Sequence, residues 1–246
     1  MNTLTTQAYF DDDKVHIRWT AGMKAYHGIR SGVLVMEGSA LNHLEAQIQL
    51  ASGELQAIWH LVHTKAILGE NRGSDSLQLC LSQKPAIDLL QQKTPDSWLF
   101  NHYQGLCVHL LGATLIAAQS SQAIEPKDPI PEKITFSSIE ADCYCPSLGK
   151  KVKITSHALL RFAQRSGTKN ISKALKTLKR YLTERPLHRV NLPKDVEQHK
   201  LKKYAQIGQH YSLSYIQGIR AILLPSAEDQ SLTLITVYDV SAYYLD

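Results

Sequence analysis

Pro126, Pro129 and Pro131 crowd one short stretch, and that stretch limits the folds open to this chain more than any other feature. A proline fixes φ and lacks an N–H, so no helix interior or central strand passes through such a run. Residues 119–133 therefore read as an extended connector. The expected organisation is a first domain over 1–124, a linker over 125–133 and a second domain over 134–246. In a chain of 246 residues, both halves are of ordinary domain size.

Charge follows the same division. Residues 1–124 hold 8 basic and 10 acidic side chains, and residues 125–246 hold 19 and 12, which together account for the chain's +5. The bias is steepest over 150–203, where 16 basic residues face only Glu184, Asp195 and Glu197. Such a block suits a nucleic-acid backbone, because each phosphate contact releases counterions. A solvated helix face or a surface for an acidic protein partner would look the same.

The longest apolar run, 106–118, carries His109 and falls short of the ~20 residues that a membrane helix needs. Residues 1–13 have no basic region followed by an apolar run, so no leader peptide is expected. Cys143-Tyr144-Cys145 is spaced too closely for a zinc half-site, and no second pair complements it. The expectation is a cytoplasmic protein with reduced thiols, no membrane, and neither metal nor cofactor.

In the first domain, Gln7–Phe10, the alternating Val15, Ile17 and Trp19, and Ile29–Met36 read as three strands around an Asp11-Asp12-Asp13 turn. Ser39 opens a helical pattern running from Leu41 to Ala66, which Ser52-Gly53 divides. Leu77, Leu79 and Leu81 alternate as a fourth strand, and Pro85 begins a further helix. The runs 106–111 and 114–118 read as strands.

This order of elements resembles the ribonuclease H fold. Asn42-His43-Leu44-Glu45-Ala46 is similar to that family's first helix, whose Glu binds a metal. The resemblance implies Asp11 and Glu45 as carboxylates of the first strand and helix. At the end of the fourth strand, where it calls for an Asp, the chain has Leu81-Ser82-Gln83. Two-metal chemistry needs several carboxylates, so this half reads as a degenerate ribonuclease H-like domain that scaffolds, docks or clamps.

The second domain is expected to start with a strand at 134–139 and to reach its centre at Lys153-Ile-Thr-Ser-His157-Ala-Leu-Leu-Arg161-Phe-Ala-Gln-Arg165. Thr155 or Ser156 can cap the helix. His157, Arg161 and Arg165 fall at i, i+4 and i+8 on one face, with Leu159, Leu160, Phe162 and Ala163 toward a core. Guanidiniums and free helix N–H groups favour a phosphate, and an imidazole can move protons near neutral pH. A second helix, capped by Asn170, puts Ile171, Leu175, Leu178 and Leu182 inward and Lys173, Lys176, Lys179 and Arg180 outward or beside. Strands at 211–216, 220–224 and 232–238 complete an α+β domain.

The His-x-x-x-Arg-x-x-x-Arg helix and the late Leu234-Ile-Thr-Val-Tyr238 strand resemble small bacterial domains grouped with the barnase–EndoU–colicin–RelE superfamily of metal-independent ribonuclease toxins. The resemblance spans 150–239. It implies a helices-plus-antiparallel-sheet (RelE/barnase-like) fold in which His157 is a base or acid and Arg161 and Arg165 clamp phosphate. Thr236, expected on the same side of its strand as Leu234 and Tyr238, would bond the phosphate. Lys153, Lys173, Lys176, Lys179 and the base-stacking Tyr204 would hold RNA. His210, Tyr211, Tyr215 and Tyr238 are second proton carriers by residue type alone. The expected function is a metal-independent endoribonuclease, toxin-like or defence-related, with RNA and a neutralising protein as partners. Its rivals are a non-catalytic RNA-binding or regulatory protein and a metal-dependent nuclease of the N-terminal half.

Overall fold

A computed structural model describes residues 1–23, 26–69, 76–93, 96–118, 130–191, 194, 198, 209–214, 218–226 and 229–239. Tyr204, Tyr215 and most of the expected linker lie outside the described residues. The chain is mixed α/β and forms two units, Met1–Glu140 and Ala141–Asp246. Among the described residues there are two six-stranded sheets and five α-helices. None of these helices is long and apolar enough to cross a membrane.

In the first unit, β1 (Asn2–Asp11), β2 (Lys14–Met23) and β3 (Tyr26–Glu37) form an antiparallel meander. Asp12 and Asp13 turn the first hairpin with φ of 45° and 57°, a conformation that short Asx side chains tolerate. Helix α1 (Ala46–Trp59) ends in a π-helical turn, His60–Thr64. Strand β4 (Leu77–Leu81) then lies parallel to β1. Helices α2 (Lys84–Leu90) and α3 (Ser97–His109) follow, and β5 (Thr114–Ala117) runs parallel to β4. The sheet order is β5-β4-β1-β2-β3-β6, where β6 (Glu132–Thr135) pairs parallel with β3.

Three expectations change here. The division between units falls after Glu140 rather than across 125–133, because β6 belongs to the first sheet and Ile139 exchanges backbone bonds with His102 and Gly105 of α3. The run 106–111, expected as a strand, is largely the second half of α3, which Asp96 caps by accepting from the Leu99 N–H at 3.0 Å. Short apolar runs do not separate strand from buried helix. Ser52-Gly53 does not divide α1. Gly53 lets the helix lie close on the sheet, and the Ser52 hydroxyl lies 2.6 Å from that of Tyr103 on α3.

In the second unit, β7 (Asp142–Cys145) and β8 (Lys150–Ile154) flank a 3-10 turn, Pro146–Leu148. Helices α4 (Ser156–Arg165) and α5 (Ile171–Glu184) follow. Strands β9 (His188–Arg189), β10 (Gln209–Ser214), β11 (Ile219–Pro225) and β12 (Leu232–Asp239) complete the unit. The sheet order is β7-β8-β12-β11-β10-β9. All its pairs are antiparallel except β8 with β12, so the sheet is mixed rather than wholly antiparallel. Val152, Ile154, Phe162, Leu178, Leu182, Leu223, Leu234 and Val237 are buried in this unit.

Candidate nucleic-acid interface

Thr155 is the residue that starts α4. Its hydroxyl accepts from the Ala158 N–H at 3.1 Å and donates to the Leu234 carbonyl at 3.0 Å. The cap thereby satisfies one free helix donor and fastens the helix start to β12. Ala158, Leu159, Phe162 and Ala163 are buried, whereas His157, Arg161 and Arg165 are all exposed. One solvent face thus carries the imidazole and both guanidiniums. Arg161 Nη1 donates to Gln164 Oε1 at 3.2 Å. Leu160, expected inside, is 37% exposed and adds an apolar patch to that surface.

Helix α5 packs on α4 through Tyr181, whose ring meets Phe162 edge-on at 5.8 Å. Asn170 caps it by accepting from the Lys173 N–H at 2.8 Å. Lys173, Lys176 and Arg180 are exposed. Lys179 departs from the expected set. It stands four residues after Leu175 and three before Leu182, beside the buried stripe, and it reaches Cys143 of β7. Burial pulls its ammonium below the ordinary value, and burial pushes the Cys143 thiol up to about 11.

The sheet separates Thr236, Tyr238, His210 and Lys153 from this face. Cys143 meets α5, and the registers Cys143↔Val152 and Val152↔Leu232 put Leu232 and Leu234 on that helix-bearing side. A bulge at Ile235 then pairs Leu223 with Leu234 but Ile222 with Thr236. Neighbouring residues of β11 point to opposite faces. Thr236 and Tyr238 therefore lie on the side opposite Leu234, contrary to the simple alternation of the sequence. His210 shares that side, and its Nδ1 lies 2.7 Å from the Tyr238 hydroxyl. Lys153 is on that side too, paired with Asp229 at 2.9 Å. Hydrogen bonds from Ser231 and Lys153 hold the Asp229 carboxyl well below its usual range. Tyr211 is buried on the helix side, and its hydroxyl donates to Gln209 Oε1 at 2.7 Å.

No protein-family model, curated protein or solved structure matches this chain.

In the first unit, Asp11 sits at the hairpin end of β1 opposite Lys14, and Glu45 precedes α1 as its N-cap; both are exposed. Among the described residues, no three His, Cys, Asp or Glu side chains are grouped to hold a metal. The carboxylate that does reach the sheet from α1 is Glu54, which is not among the residues expected at a site. Glu54 is fully buried. Its Oε1 accepts from the Thr6 hydroxyl at 2.9 Å, the Ser82 N–H at 2.9 Å and the Ser82 hydroxyl at 3.0 Å, and its Oε2 accepts from the Gln83 N–H at 2.8 Å. Burial pushes the carboxyl up to about 7 against these four bonds. A charged residue inside an otherwise apolar helical stripe was the available signal, since Glu is almost never fully buried without partners.

Proposed function

We propose that the second unit is a metal-independent, toxin-like or defence-related endoribonuclease acting in the cytoplasm, with a neutralising protein as its partner. The observation that supports this reading is the exposed face of α4. It starts at a capped helix N-terminus and sets His157, Arg161 and Arg165 one above another. RNA cleavage of this kind moves the 2′-OH proton to a base, joins the 2′-oxygen to phosphorus, breaks the bond to the 5′-oxygen and protonates that oxygen. His157 serves as base or acid, with water in the other role. Arg161 and Arg165 hold the phosphate as charge develops on it. Lys173, Lys176 and Arg180 of α5 extend the cationic surface along the chain of phosphates.

The sheets support the finer fold readings. A three-strand antiparallel meander, a helix, and then β4 parallel to β1 in the order β5-β4-β1-β2-β3 is the arrangement expected of a ribonuclease H-like unit. Ser82 stands at the end of β4, where that resemblance calls for an acid, and it donates to Glu54 instead. A degenerate scaffold fits this better than a metal-dependent nuclease. Two helices on a largely antiparallel sheet suit the RelE/barnase-like reading of the second unit.

A second reading, RNA binding without cleavage, is favoured by Thr236 and Lys153, which lie across the sheet from α4. Incubating the purified protein with labelled RNA in EDTA decides between them. The nuclease reading expects cleavage, binding alone supports the second reading, and cleavage only on adding Mg²⁺ or Mn²⁺ supports a metal-dependent enzyme.

A further inference from the structure

We propose that Glu54 is a proton-operated latch that docks the β4–α2 turn onto β1 and α1, tight in acid and looser toward neutral pH. Strands β1 and β4 are adjacent and parallel, and their backbone pairing runs only to Thr5↔Cys80. Beyond that point side chains take over. The Ser82 hydroxyl accepts from the Ala8 N–H at 3.1 Å and donates to Glu54, while Gln83 Nε2 lies 3.4 Å from the Ala8 carbonyl. Gln83 is also the N-cap of α2, but its side chain makes no cap bond. The junction between sheet and α2 is therefore held by the Ala8 backbone and by one carboxyl group with no exposed surface.

Two forces act on that carboxyl in opposite directions. Four donors favour the charged form, and burial favours the neutral one. Burial prevails and raises it from 4.5 to about 7. Its hydrogen-bond partners among the described residues, Thr6, Ser82 and Gln83, carry no charge. On β1, Thr6 faces the carboxyl, and on β2 Val15 and Ile17 pack against the neighbouring Gly53; none of the three is ionisable. On α3, the Tyr103 hydroxyl is engaged with Ser52. On α2, Lys84 and Asp88 pair with each other. The folded state thus holds the proton more tightly than an opened turn does. The stability so contributed is complete below about 4.5, declines as pH rises, and is gone above about 7.

Hydrogen exchange of the Ser82 and Gln83 amides in the intact chain tests this, after correction for intrinsic base catalysis. The opening equilibrium of the turn should rise up to about tenfold per pH unit from pH 4.5 and level off near 7. In Glu54→Gln the slope should vanish. Thr6→Val keeps the shape of the strand and removes one donor to the charged form, so levelling should move to a higher pH. A flat profile in the wild type, a slope of the opposite sign, a slope that persists in Glu54→Gln, or an unmoved plateau in Thr6→Val would each overturn the proposal.

Discussion

A β-carbon built on Gly53 would stand 2.5 Å from Cγ1 of Val15. Helix α1 approaches β2 so closely that only a hydrogen fits between them, and Ile17 and Met36 close the sides at 3.5 Å. Alanine is better than glycine in a helix interior by about 1 kcal/mol. Here overpacking against a stiff β-branched side chain should cost about 1–3 kcal/mol. Gly53→Ala should therefore lower stability despite its better propensity. Urea unfolding should show a lower midpoint with an unchanged slope, and a more stable variant would contradict the packing described.

Thr155 joins two elements, so its loss should be felt twice. Thr155→Ala removes the N-cap of α4, at a cost of about 1 kcal/mol, and also the tie to the Leu234 carbonyl. Thr155→Ser keeps both bonds and should recover most of the stability. Equal thermal midpoints for the wild type and the alanine variant would exclude this role.

His157→Ala should lower RNA cleavage by roughly 10²–10⁴ with little change in binding. Arg161→Ala and Arg165→Ala should lower both, because a charge-assisted phosphate contact acts in ground and transition states. All three positions are exposed, so unfolding midpoints should shift by only ~0.5 kcal/mol equivalent. A His157→Ala protein that cuts at the wild-type rate removes the imidazole from the chemistry.

Replacing Lys173, Lys176 and Arg180 together should weaken RNA binding alike across sequences and flatten its dependence on salt. Lys179→Met should leave the salt slope unchanged, since that side chain turns toward Cys143. Titrating binding at several salt concentrations separates the two variants, and a flattened slope for Lys179→Met would mean that it too meets phosphate.

Thr236→Val should leave cleavage unaltered if the α4 face is the reactive one, because β12 carries Thr236 on the opposite side of the sheet. A rate loss as deep as that of His157→Ala would move the reactive centre toward His210 and Tyr238.

Much of the local structure was legible in residues close together in the chain. Thr155 or Ser156 and Asn170 announced two helix starts, and the i, i+4, i+8 spacing put His157, Arg161 and Arg165 on one face, whereas the prolines pointed to a division at 125–133 that lies ahead of the one observed after Glu140. These features follow from φ restriction, cap chemistry and helical period, which act over a few residues. Contacts between residues far apart in the chain became visible in the fold alone. The pairing of β6 with β3 moved the boundary to Glu140, because a strand joins whichever edge offers it hydrogen bonds. One extra residue at Ile235 turned Thr236 to the other side of the sheet, a shift that simple alternation cannot reveal. Lys179 reads as one basic residue among several until Cys143 is seen beside it. Glu54 reads as a helix residue like its neighbours until Thr6, Ser82 and Gln83 close around it from 28 to 48 residues away in the chain. Burial and partners set the chemistry of such groups, and the fold alone supplies both.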